Sequence, residues 1–209
     1  MKRGKRGRTK LYGLLDPKIY RLPYCEEASR ADKCLDYEAF MEVVLRFYNK
    51  VVELRQQSNI LTLKVWSSYL ALTLIMLVNG LRVREALRAT RIFYETKERR
   101  ITIEAVKRGD TRLVIIPDFI TREDLEYIYT KLVKAGENRV RKSFLAWLKG
   151  VFRVNPHSIR YAFIRYHTLT GRTPQEIARG LGLRDRKSVK RYYLRGLPLN
   201  NEGEGEGYG

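Results

Sequence analysis

Only two cysteines occur in the 209 residues, Cys25 and Cys34, and neither has a Cys-x-x-Cys partner or a Cys/His companion. That argues against a disulfide framework or a zinc site, so no metal is expected and both should be free thiols of an intracellular protein. Long apolar runs are missing too. The most apolar stretch, Leu70 to Val78, is too short to span a bilayer, and the charged N-terminus has no apolar core of the kind a secretory signal needs. No membrane partner is expected. Acidic residues are scarce, with 23 Asp+Glu against 42 Lys+Arg and a net charge of +19. The expected partner is therefore a polyanion, most commonly nucleic acid. Docking cations on phosphates releases condensed counterions, so affinity should fall steeply with salt without conferring sequence preference. What is present suffices for a fold: 44% hydrophobic residues, with no internal repeat, suit one domain carrying an extension.

Residues 1–35 read as a basic arm and extension. Lys2, Arg3, Lys5, Arg6, Arg8 and Lys10 are interspersed with glycine and suited to lie along phosphates, and Pro17 and Pro23 act as breakers further on. Asp36 then has the look of an N-cap, with Phe40, Val43, Val44, Phe47, Val51 and Leu54 recurring at helical steps to about Gln57. A helix over Thr62 to Val78 is apolar nearly all round, which makes it the centre of the core, and Asn79-Gly80 stops it. A short helix is expected over Val83 to Ala89. Three short strands follow at Arg91 to Glu95, Arg100 to Val106 and Arg112 to Ile116. Helices capped by Thr121, and over Val140 to Val151, His157 to Thr170, Pro174 to Leu181 and Lys187 to Leu194, complete the pattern. The fold class is mainly α with a small antiparallel β-sheet (α+β). Residues 36–197 form the principal domain, and the Gly/Glu-rich residues 198–209 form a disordered tail.

Candidate functional residues stand at the ends of these elements. Arg82 follows the central helix, Lys107 occupies a strand turn, and His157 and Arg160 lie three apart in the first turn of a helix, near the positive end of its dipole. Such a grouping suits a phosphate.

These residues resemble the motifs of the tyrosine recombinase (phage-type integrase) catalytic domain. Gly80-Leu81-Arg82-Val83-Arg84-Glu85 resembles its Gly-Leu-Arg motif with the following Glu, and Val106-Lys107-Arg108-Gly109 its β-turn lysine. His157-Ser158-Ile159-Arg160 resembles its His-x-x-Arg, and Leu181-Gly182-Leu183 precedes Tyr192 at the family's distance. The resemblance covers about residues 36 to 196. It implies that Tyr192 is the nucleophile forming a 3′-phosphotyrosyl link, with Tyr193 as the alternative, and that Arg82 and Arg160 hold the phosphate oxygens. Lys107 would be the general acid, and His157 would bind the phosphate or assist removal of the tyrosine proton. Glu85 would support Arg82. No cofactor is implied. Double-stranded DNA is the implied partner, bound by a dimer or tetramer, with Arg108, Arg186, Lys187 and Lys190 as further DNA contacts.

Two features depart from the family. Leu183 stands where His or Trp is usual, and only about 35 residues precede the catalytic region, where the family has a separate DNA-clamping domain. A second reading also stays open: Thr173 to Leu183 followed by Ser188 to Tyr192 looks like a helix-turn-helix of a non-catalytic DNA-binding regulator. An inactive recombinase-fold DNA binder would satisfy both patterns, and a type IB topoisomerase shares the chemistry.

Overall fold

Asp36 begins the described fold: its side chain accepts a hydrogen bond from Ala39 N–H at 2.8 Å and caps α1 (Tyr37–Gln57). The structure, a computed structural model, describes residues 35–105, 111–183 and 189. Phe40, Val44, Phe47, Tyr48 and Val51 line the buried face of α1 at the expected spacing. They pack on α2 (Leu61–Asn79), which is buried along most of its length and also meets α4 and α6, described below. Each fully buried leucine there stabilises the fold by roughly 1.5–3 kcal/mol. By length and composition alone α2 could cross a membrane, contrary to the short run expected from the sequence; 72% of its apolar window is buried inside this protein.

Gly80 ends α2 in the left-handed conformation at φ 59°, donating its N–H to the Leu77 and Met76 carbonyls. Two constraints meet at this residue. The backbone needs a positive φ, and a Cβ would fall 2.6 Å from Phe163 Cδ1 and 2.8 Å from Leu181 Cδ2. Gly80→Ala is therefore expected to lower stability by roughly 2–4 kcal/mol, through left-handed strain together with overpacking. A thermal melt within 1 °C of wild type would contradict this.

α3 (Val83–Thr96) corrects the expected short helix and first strand, which are one continuous helix. Arg91 to Glu95 carries β-favouring residues, but in helical form Ala86, Leu87, Ala89, Thr90 and Phe93 are buried together and Arg91 pairs with Glu95 at 3.0 Å. Tyr94 also stacks on Tyr129 at 3.9 Å. Tertiary packing outweighs local propensity here.

Among the described residues the sheet thus has two strands, β1 (Arg100–Glu104) and β2 (Thr111–Ile115), paired antiparallel with Ile103 opposite Arg112. Ile101, Ile103, Arg112 and Val114 face inward, while Leu113 and Ile115 are exposed. The Asn79 side chain docks the hairpin onto the end of α2, accepting from Ile115 N–H at 2.8 Å and donating to the Ile115 carbonyl at 2.8 Å. α4 (Arg122–Ala135) starts at a Thr121/Asp124 capping box and stops at Gly136, as expected. α5 (Glu137–Phe152), α6 (Pro156–Leu169) and α7 (Pro174–Gly180) follow. Val189 is buried with Phe163, Ile164, Ile177, Ala178 and Leu181 in a second apolar cluster at the α6–α7 end.

Candidate functional site

The turn forced by Gly80 delivers Arg82 to the N-cap of α3 in extended conformation, and Glu85, three residues on, accepts from its backbone N–H at 2.9 Å. That is half of a capping box, because an arginine side chain offers no acceptor for the reciprocal bond. The Glu85 carboxylate, fully buried, is also within ion-pair distance of three guanidiniums: Arg82 at 3.1 Å, Arg112 at 3.5 Å and Arg160 at 3.6 Å. Arg112 comes from the inner face of β2 and Arg160 from the second turn of α6.

Further hydrogen bonds hold this group. Arg160 Nη1 donates to the Gly80 carbonyl at 2.8 Å, and Arg112 donates to the Leu181 carbonyl at 3.4 Å and to the Asn79 carbonyl. Burial pulls the Arg112 guanidinium down to about 10, with Glu85 acting in the opposite direction and Arg82 in the same one, so it stays protonated at neutral pH. One carboxylate among three guanidiniums leaves the cluster net positive, an environment that favours an anion.

His157 lies one turn from Arg160 at the start of α6, behind Pro156 at the first helical position, and its backbone N–H is capped by Asn155 Oδ1 at 2.9 Å. Its ring is exposed and lies 6.3 Å from that of Tyr161. A cavity of about 530 Å³ is lined by Arg82, His157 and Arg160 and also by Arg141, Lys149 and Arg153. Leu81, Val83, Leu145 and Val154 supply apolar wall, Arg84 adds a further cation, and no acidic residue lines the cavity. Among the described residues no group of three or more His, Cys, Asp or Glu side chains could hold a metal ion.

The sequence-derived candidates Arg82, His157 and Arg160 are thus brought together, with Glu85 behind them. Lys107, Arg108, Tyr192, Tyr193, Arg186, Lys187 and Lys190 lie outside the described residues, as do Cys25, Cys34, the basic residues of positions 1–10, most of the expected Lys187 to Leu194 helix and the tail. Leu183 occupies a packing position. Gly182 at φ 61° ends α7 in a Schellman turn, with Leu183 N–H donating to the Ala178 carbonyl at 2.9 Å and its side chain resting on the α6–α7 cluster. His167 packs edge-on against Phe163 at 4.3 Å, and burial, then Arg172, lower its pKa.

Sequence reasoning missed Arg112, Arg141, Lys149 and Arg153. The four-residue spacing of Arg141, Leu145, Lys149 and Arg153 was a readable signal, since such positions share a helix face. For Arg112 the sequence misleads, because the apolar alternation of Leu113 and Ile115 suggests that they, and not Arg112, face inward.

A protein of Acidianus two-tailed virus named "Putative integrase ORF241" is 34% identical to this chain over 117 residues, which are 56% of this chain and 47% of that protein. The chain spans about half the length of that curated relative. The similarity suggests an integrase-like family. Neither a family model nor a solved structure matches the chain.

Proposed function

We propose that this chain is the strand-cleaving domain of a tyrosine-recombinase-type integrase acting on double-stranded DNA as a dimer or tetramer. The observation that carries the reading is that Arg82 and Arg160, from helices far apart in sequence, are tied to one buried carboxylate and line, with His157, a cavity bordered by cations. In the reaction the Tyr192 hydroxyl attacks a phosphodiester in line. An O–P bond to tyrosine forms as the bond to the 5′ oxygen breaks. His157 assists removal of the tyrosine proton, Lys107 protonates the departing 5′ oxygen, and rejoining runs the same steps in reverse. Arg82 and Arg160 carry the charge that builds on the non-bridging oxygens. Their preorganisation by Glu85 means that little rearrangement is needed at that moment. Neither ATP nor a divalent ion enters this scheme.

A nicked suicide duplex carrying the target site tests it: a covalent protein–DNA complex surviving SDS is expected, absent in Tyr192→Phe and retained in Tyr193→Phe. Capture that persists in Tyr192→Phe would overturn the assignment of the nucleophile.

A second reading draws on α7, whose capping box at Thr173/Glu176 and turn at Gly182 have the form of the first half of a helix-turn-helix. Tight binding to the duplex with no trapped complex would favour that reading, or an inactive recombinase-fold binder.

A further inference from the structure

The six main cations around the cavity fall into two classes. Arg82 and Arg160 are paired with Glu85, and Arg84 with Glu137 at 3.2 Å. Arg141, Lys149 and Arg153 line the same cavity and, among the described residues, meet no carboxylate; Arg141 Nε is buried without a hydrogen-bond partner. Among the described residues, the charge of these three is not offset by a carboxylate.

They are also arranged in a row. Arg141, Leu145 and Lys149 stand four residues apart on α5, and Arg153 continues the step just past its end. From Arg141 to Lys149 the helix rises ~12 Å, a length equal to the axial rise of three to four nucleotides of duplex DNA at ~3.4 Å each and enough to meet more than one phosphate of a strand. The N-terminus of α6, at Asn155 and Pro156, opens onto the same cavity and adds the positive end of its dipole. Leu145 and Val154 lie among the cations as apolar wall.

We infer that the α5 row is a second phosphate-binding track, which holds the backbone of the DNA strand running away from the phosphodiester gripped by Arg82 and Arg160. The track rests on the cleavage reading above for its ligand, and it sets the register of the strand across the cavity. Its contribution is to position the DNA, since none of the three residues is assigned a step in the reaction.

Arg153 supplies a discriminating variant. It sits at φ 55°, in the left-handed region, with its N–H bonded to the Lys149 carbonyl at 3.0 Å. Glycine adopts that conformation at the end of a helix without steric cost. Arg153→Gly should therefore melt no lower than wild type while binding DNA less well, a combination that a purely structural arginine would not give.

The test is a fluorescence-anisotropy titration of a labelled duplex by the full chain across a KCl series, with a thermal melt of every variant. Lys149→Gln and Arg153→Gly are each expected to weaken binding several-fold at low salt and to reduce the slope of log K against log[KCl] by about 0.9, the loss of one phosphate contact. Lys131→Gln, which removes an exposed cation on α4 away from the cavity, should leave the slope unchanged. The track is overturned if the two variants keep the wild-type slope, or if Lys131→Gln loses as much as they do. It is equally overturned if inorganic phosphate at constant ionic strength raises the melting temperature of wild type but not of the variants while their DNA slopes stay wild-type, which would mark a small-anion pocket. Unchanged slopes with an intact covalent complex would fault the track alone. Reduced slopes with no covalent complex would fault the cleavage reading alone.

Discussion

Glu85→Gln is expected to lower the unfolding free energy by about 3–5 kcal/mol, because it removes the charged partner of a buried ionic cluster and leaves the other members behind. Arg112 and Arg160 are each only 5% exposed, and both lie within 3.6 Å of the Glu85 carboxylate. Without the negative charge the neighbouring guanidiniums repel one another in a medium that screens them poorly. Glutamine still reaches the Arg82 N–H, so the start of α3 is kept and the loss can be assigned to charge. Glu85→Ala adds loss of the cap, about 1 kcal/mol more. Set against a typical domain stability of 5–15 kcal/mol, either change is severe. Urea denaturation measures it. A Glu85→Gln midpoint equal to wild type would mean that the arginines are neutralised by something other than this carboxylate.

The second large effect is catalytic. On the proposed reaction, Arg160→Lys should slow strand cleavage by roughly 10²–10³-fold while DNA affinity changes only a few-fold. Lysine keeps the charge but loses the planar fork, so it cannot bond the Gly80 carbonyl and lie beside Glu85 while also presenting a second donor to phosphate. On the same reading the remaining cations of the cavity would still hold the DNA. Arg82→Ala, at a residue only half-buried, should show the same division with less damage to the fold. Single-turnover cleavage and equilibrium binding, both at a temperature where the melt shows the variant folded, separate the two quantities. Parallel losses in both would make Arg160 a binding residue only.

The helical frame was legible because its signals are local. Asp36, Asn79-Gly80 and Thr121 act within one turn, and each marks a helix end in the structure as it does in the sequence. The Arg91 to Glu95 segment misled because its helical state depends on distant neighbours such as Tyr129. Arg82, His157 and Arg160 were found through their motifs. Arg112 was not, since nothing in Thr111 to Ile115 signals that an arginine should face the core; the reason lies in Glu85 and in the Leu181 carbonyl, which are remote in sequence. Leu183, singled out in the sequence, rests its side chain on the α6–α7 apolar cluster, a contact that its neighbours in sequence do not reveal.

The hydrogen bonds of Arg112 span 33 and 69 residues, and that from Arg160 to Gly80 spans 80. Contacts of such long range become favourable only after the chain between them has been drawn in, so they are expected to form late on the folding path. The α1–α2 pair can associate early, at small loop cost, without organising any phosphate site. A newly made chain would then be compact before Arg112 and Arg160 had closed around Glu85, so that the arginine cluster would be among the last parts of the fold to assemble.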